Sequence, residues 1–325
     1  VITRLRLGAL VLVGVVIAAF AAPTATSAAT TDGGVAWTVQ TADNPQGTGR
    51  ANFTYDVAPG AVISDAMIVV NTGTEPLPLS VYAADAFTAS TGEIDVLVGG
   101  QPSQGAGTWV AVAPTPLTLD PGDSAEVPFT IAVPADARPG DHAAGIVTSL
   151  TSQDAAATLS VDRRLGTRIN LRVAGELSPA ASVVDVSTRY VPSWNPFDSG
   201  RLLVHYSLEN TGNTRLTASE TIATTGLSAA RTAPEQMSEI LPGSIVEVER
   251  EVPVFSLGWV TGAVSVTPES VGLGAALLEP VATEFSTAAV PWSLYVLLIV
   301  VLGVALTAML IARRLRRRRA EVPVA

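Results

Sequence analysis

Apolar side chains recur at every second position through much of this chain. Val127, Phe129, Ile131 and Val133 form one such row, and Ile169, Leu171 and Val173 another. Leu202, Val204, Tyr206 and Leu208 follow, then Val246, Val248, Val252 and Val254 with Glu247, Glu249 and Glu251 between them. A period of two buries one face of a strand and leaves the other wet, so these rows predict half-buried β-strands. Between Thr31 and Ser286 no apolar stripe keeps helical spacing over three turns, and Pro-Gly or Thr-Gly pairs interrupt the rows at short intervals. The expected class is all-β.

A degenerate repeat sets the expected domain count. Asn71-Thr72-Gly73 with Leu77 is echoed by Asn210-Thr211-Gly212 with Leu216. Downstream, Pro121-Gly122 with Glu126-Val127 is echoed by Pro242-Gly243 with Glu247-Val248. Asn-Thr-Gly fits a turn needing positive φ, and Pro-Gly fits a type II turn feeding a strand. The two marks lie 50 residues apart in the first copy and 32 in the second. The first domain therefore carries an insertion, roughly Ala83 to Val112, with the Gly-rich run Gly99 to Gly107 inside it, and loop-borne binding is expected there. Gly175-Glu176-Leu177-Ser178-Pro179 breaks the pattern between domains. The reading is two tandem Ig-like β-sandwiches, at 33–176 and 180–283, with a short connection to Val290.

The two ends read differently. Arg4 and Arg6 precede an apolar run, Leu7 to Ala22, and a small-residue stretch, Pro23 to Ala29. That order predicts a signal peptide over 1–29, with an uncleaved N-terminal anchor as the competing reading. Pro291 to Ala312 is a run of 22 residues without charge. At ~1.5 Å per residue it would reach about 33 Å as a helix, enough to cross a bilayer. Six arginines between Arg313 and Arg319 follow it, and at roughly 3 kcal/mol each they would not cross. The expected arrangement is a single-pass plasma-membrane protein with an extracellular N-terminal ectodomain, a transmembrane helix at 291–312 and an Arg-rich cytoplasmic tail at 313–325.

All 19 basic residues are arginine, a bias of high-GC coding. Removing those at the two ends leaves 11 against 28 acidic residues, so the ectodomain carries about −17 and repels polyanions, nucleic acid included. A local basic patch at Arg163, Arg164, Arg168 and Arg172 is better read as a solvated strand face. Without cysteine, stability must come from buried apolar area, and thiol chemistry is excluded.

Catalysis is poorly supplied. His142 and His205 are the only histidines, and no serine sits in a Gly-x-Ser-x-Gly elbow. His205 reads as an outward strand residue. His142 follows Pro139-Gly140-Asp141, where Asp141 would hold local backbone amides in a turn. Asp85, Glu93, Asp95 and Asp141 could converge as paired carboxylates, though nothing in their spacing requires it. No calcium-type loop, catalytic set, metal site or cofactor motif is expected. Tyr82, Phe87 and Trp109 cluster around the insertion. They read as sandwich filler or as faces for stacking on sugar rings.

Several runs resemble the WxL-interacting protein family: Phe53 to Gly60, Val70 to Gly73, Tyr82 to Thr88, Val133 to His142 with Gly145-Ile146, and Arg164 to Arg168. The resemblance covers about 35–175, with a looser match of the second domain to the family's host-binding module. It implies a Gram-positive surface protein whose first Ig-like domain binds peptidoglycan and whose second mediates adhesion or partner binding. Tyr82, Asp85, Phe87, Trp109, Asp141 and His142 are the candidate ligand residues. The competing reading is an envelope module that pairs with another cell-surface protein and never touches glycan. Trp292-Ser293-Leu294 matches the family's motif letters by chance.

Overall fold

The computed structural model describes residues 34–113, 116–153, 160–225, 229–272 and 276–320. The signal-peptide reading at 1–29 and the last residues of the tail lie outside them. Alternation becomes strands throughout. The first sandwich contains β1 (Trp37–Thr41), β2 (Phe53–Val57), β3 (Val62–Asn71), β4 (Leu77–Thr88), β5 (Ile94–Val96), β6 (Val110–Val112), β7 (Pro116–Leu119), β8 (Ser124–Ala132), β9 (Gly140–Gln153) and β10 (Ser160–Val173). One sheet runs β1-β3-β8-β6, and the other β2-β10-β9-β4-β5 with β7 also beside β4. Among the described residues only β2 and β10 pair in parallel. Phe53, Met67, Leu79, Ile131, Ile146 and Ile169 are fully buried between the sheets, each contributing roughly 1.5–3 kcal/mol of apolar burial. Trp37 Nε1 donates across the core to Thr148 Oγ1 at 2.8 Å, so the indole is satisfied where it is buried.

The second sandwich has a separate core around Val204, Tyr206, Leu208, Ile222, Val264 and Val266. Its sheets are β11-β12-β15 and β14-β13-β16-β17. The strands are β11 (Ala181–Val191), β12 (Gly200–Asn210), β13 (Leu216–Thr225), β14 (Glu235–Ile240), β15 (Ile245–Val254), β16 (Gly258–Ser270) and β17 (Val281–Ala289). β17 takes the expected connecting stretch into the sandwich, because Val281 to Ala289 pair with β16 along their whole length. Helix α1 (Trp292–Ala320) follows at once. Its segment Trp292–Arg316 has a peak mean hydropathy of 2.9 and no buried face, so it is long and apolar enough to cross a membrane.

The sequence repeat is a repeated set of hydrogen bonds. Asn71 Nδ2 donates to Glu75 O at 2.9 Å and Leu119 O at 3.0 Å, and its Oδ1 accepts from Gly73 N at 2.9 Å. Asn210 does the same with Thr214 O at 2.8 Å, Ile240 O at 3.0 Å and Gly212 N at 3.1 Å. Neither Gly73 nor Gly212 has positive φ, which corrects the turn reading: the buried asparagine amide closes the loop. Gly122 and Gly243 do adopt positive φ, as the Pro-Gly turns require.

In this repeat β4 matches β13 and β7 matches β14. The insertion lies between β4 and β7. β4 stays regular to Thr88, β5 turns back on it, and β6 crosses to pair with β8 of the other sheet.

Candidate functional site

Asp141 opens β9 where the two sandwiches meet. Gly140 has φ +122, and a Cβ there would lie 2.2 Å from Asn213 O, so only glycine lets the chains approach closely enough for Asp141 N to donate to that carbonyl at 2.7 Å. The Asp141 carboxylate accepts from Arg172 Nε and Nη2, both at 2.8 Å, and from the Arg215 backbone N–H at 2.7 Å. Arg172 is the register partner of Asp141 on β10 and also donates to Val271 O of the second sandwich at 2.6 Å. The bond to Asp141 raises the Arg172 guanidinium pKa above its ordinary value, against the opposing effect of burial. Glu239 extends the ion network, accepting from Arg215 Nη1 at 2.9 Å and Arg168 Nη2 at 3.1 Å. Asn213 adds bonds to Pro139 O and Glu176 O, and the insertion adds Leu241 N to Thr88 Oγ1 and Glu247 N to Ser90 O. Asp141 thus latches the two sandwiches together. The local turn role expected from sequence is corrected, because its partners lie up to 74 residues away.

Asp85 is equally committed. Its Oδ2 accepts from Gln104 N at 2.6 Å and Gly105 N at 2.8 Å, and its Oδ1 from Gly107 N at 2.6 Å. The Gly-rich run lies flat on β4: a Cβ on Gly107 would stand 2.4 Å from Asp85 N. Tyr82 lies under the same cover, 3.3 Å from where a Cβ on Gly99 would be. Asp85 therefore holds the insertion down through its backbone amides, and Tyr82 lies beneath it.

Between latch and insertion lies an open cleft of about 1070 Å³. Phe87, Gln104, Arg138, His142 and Pro242 line it, with the occupied Asp85 and Asp141 in its wall. Phe87 is 38% exposed. His142 Nε2 lies 2.9 Å from Arg138 O, and its ring is 4.7 Å from that of half-buried Trp109, tilted by 50°. Trp109 props the imidazole from behind. Of the six candidate residues, four line this cleft, Trp109 reaches it through His142, and Tyr82 does not line it. Phe87 and His142 remain available for contact. Arg138 is exposed and makes no ion pair among the described residues, and neither it nor Gln104 was identified from sequence. Their one signal was proximity, Arg138 to His142 and Gln104 to the Gly-rich run.

The other carboxylates do not join them. Asp95 lines a different hollow with Asp162, Arg164 and Arg168, and Glu93 is exposed on the β4–β5 hairpin. Arg164, Arg168 and Arg172 each have an acidic partner, while Arg163 is exposed and makes no ion pair among the described residues. His205 is half-buried on β12 opposite Glu249. Among the described residues no three His, Asp or Glu gather as metal ligands. A buried cluster at Asp65 is structural: its carboxylate accepts from Arg50 Nη1 and Asn44 Nδ2, both at 2.6 Å, from the Tyr55 hydroxyl and from Ala66 N.

No protein-family model matches the chain, and no curated protein matches it. Among solved structures it is similar to the class 5 fimbriae chaperone CfaA, at 13% identity and TM-score 0.34, covering 78% of this chain and 100% of that one. A structure of the chaperone-tip adhesin complex of CFA/I fimbriae biogenesis matches at 12% identity and TM-score 0.37, covering 79% and 99%. The E. coli chaperone DraB matches at 14% and 0.30, covering 77% and 98%. Likeness at these scores does not reach function.

Proposed function

We propose that this chain is a non-catalytic envelope protein, anchored by α1 in the plasma membrane with its sandwiches outside, whose interdomain cleft binds peptidoglycan. One observation carries the reading. The cleft sets the exposed Phe87 ring and the His142 imidazole beside Arg138, a guanidinium that makes no ion pair among the described residues. Aromatic faces stack on the C–H faces of sugar rings, and a guanidinium pairs with the carboxylates of stem peptides. Of the carboxylates in the wall, Asp141 is neutralised by Arg172 and Arg215, while Asp85 is turned onto the backbone amides of the insertion. The resemblance to WxL-interacting proteins supports the same class, and the arginines after α1 support the orientation.

The test is co-sedimentation of the full chain, in lipid nanodiscs, with purified sacculi at low and physiological salt. Wild type should pellet in both. Phe87→Ala should weaken binding by about tenfold, the value of one stacked aromatic. No pelleting above a β-sandwich control would reject the glycan ligand.

A second reading, a protein partner, is favoured by one feature: a groove between the edge strands β14 and β15, lined by Met237, Val246, Val248 and Arg250. An added strand would fit such an edge, although Ser90 already accepts the Glu247 N–H. Pull-down that survives Phe87→Ala but fails on disruption of this groove would select it.

A further inference from the structure

The chain is only 5% aromatic, yet five of its aromatic side chains gather at the end of the second sandwich that meets α1. Trp194 and Phe197, on the β11–β12 loop, are 97% and 77% exposed. Trp259 begins β16 and is 62% exposed, and Trp292 and Tyr295 lie in the first turn of α1. Leu257 adds a further exposed apolar residue beside them.

The loop is braced rather than slack. Ser193 Oγ accepts from Asn195 N at 3.2 Å, Asn195 Oδ1 accepts from Phe197 N at 3.2 Å, and Asp198 N donates to Asn195 O at 3.2 Å. Pro192 and Pro196 restrict φ on either side. Two bonds hold this end against the helix: Ser293 Oγ donates to Ser193 O at 2.7 Å, and the Tyr295 hydroxyl donates to Leu257 O. The exposed rings are therefore level with the turn at which the chain passes from a polar ectodomain into its apolar helix. In water they would remain unburied, held there by an ordered loop. Indole and phenyl groups at that depth partition into the boundary between headgroups and acyl chains.

We propose that the β11–β12 loop is a bilayer-contact element. Trp194 and Phe197 enter the outer interface of the membrane that α1 crosses, so the second sandwich stands on the lipid instead of swinging above it on a tether. This rests on α1 being a membrane span.

The absence of native cysteine makes a single-label test clean. Trp194→Cys, Val301→Cys in α1 and Glu75→Cys on the far loop of the first sandwich would each carry a nitroxide in the full chain, in phosphatidylcholine–phosphatidylglycerol nanodiscs. The reading is the ratio of oxygen to nickel-chelate accessibility. The ratio at 194 should be several-fold above that at 75 and approach that at 301. A ratio at 194 equal to that at 75, with 301 lipid-like, would overturn the contact and leave the span standing. A label at 194 shielded from both reagents would mean a protein covers the loop, and would also overturn it. A water-like ratio at 301 would overturn span and contact together.

Discussion

The Asp65 side chain is fully buried and held as a carboxylate. Burial alone would raise its pKa, but the bonds from Arg50, Tyr55 and Asn44 prevail and lower it from 3.8 to about 2. The depressed folded value means its stabilisation is complete above the unfolded pKa and is lost as pH falls from about 4 toward 2, on the order of 2 kcal/mol. Asp65→Asn should leave Arg50 largely buried without its partner and cost the first sandwich about 3–5 kcal/mol at neutral pH. Hydrogen exchange of β3 against β13 resolves the two domains. Glu220, in the second core, behaves oppositely. Burial raises its pKa above 4.5 despite the bond from Arg250. Its contribution is therefore present below the unfolded pKa and is lost as pH rises through the folded value. Glu220→Gln should cost far less than Asp65→Asn at neutral pH and flatten the pH dependence of β13 protection above the ordinary carboxylate range.

At the scale of elements, the asparagine loops and the latch decide how strands are joined. Asn71→Ala and Asn210→Ala each remove the same three side-chain bonds from a buried site. Each should cost about 2–3 kcal/mol, confined to its own sandwich, as exchange rates would show. Asp141→Ala strips Arg172 and the Arg215 amide of a shared acceptor. It should separate the two sandwiches into distinct calorimetric transitions and open the 174–180 linker to protease, while either sandwich alone keeps its core. These elements also show what was readable in the sequence. Alternation located the strands because a half-buried sheet requires it, and the Asn-Thr-Gly and Pro-Gly echoes marked corresponding loops because both sandwiches close the same way. Asp141 was picked out, but its role was not, since Arg172 and Arg215 join it only once β9, β10 and the β12–β13 loop are assembled. The role of Asp85 in pinning the insertion was hidden for a similar reason: its partners are backbone amides of the insertion, which carry no sequence signature. Arg138 went unnoticed because whether an arginine has an ionic partner is decided only in the assembled fold.

For the molecule as a whole, the latch and the β11–β12 loop sit at opposite ends of β12, Gly200–Asn210. Eleven residues at ~3.3 Å each put the cleft about 35 Å above the loop. On the proposed reading, His142→Ala should weaken sacculus binding in the co-sedimentation assay without altering the label depth at position 194, because cleft and lipid contact lie at separate ends of one rigid sandwich. The pairing of β17 adds a mechanical consequence. This strand runs directly into α1 and is bonded to β16 from Val281 to Ala289. If the wall pulls on the cleft while the membrane holds the helix, the tension runs along β17, lengthwise to that ladder. Its hydrogen bonds are then sheared together instead of being unzipped one by one, so the edge strand nearest the anchor is also the one arranged to carry load.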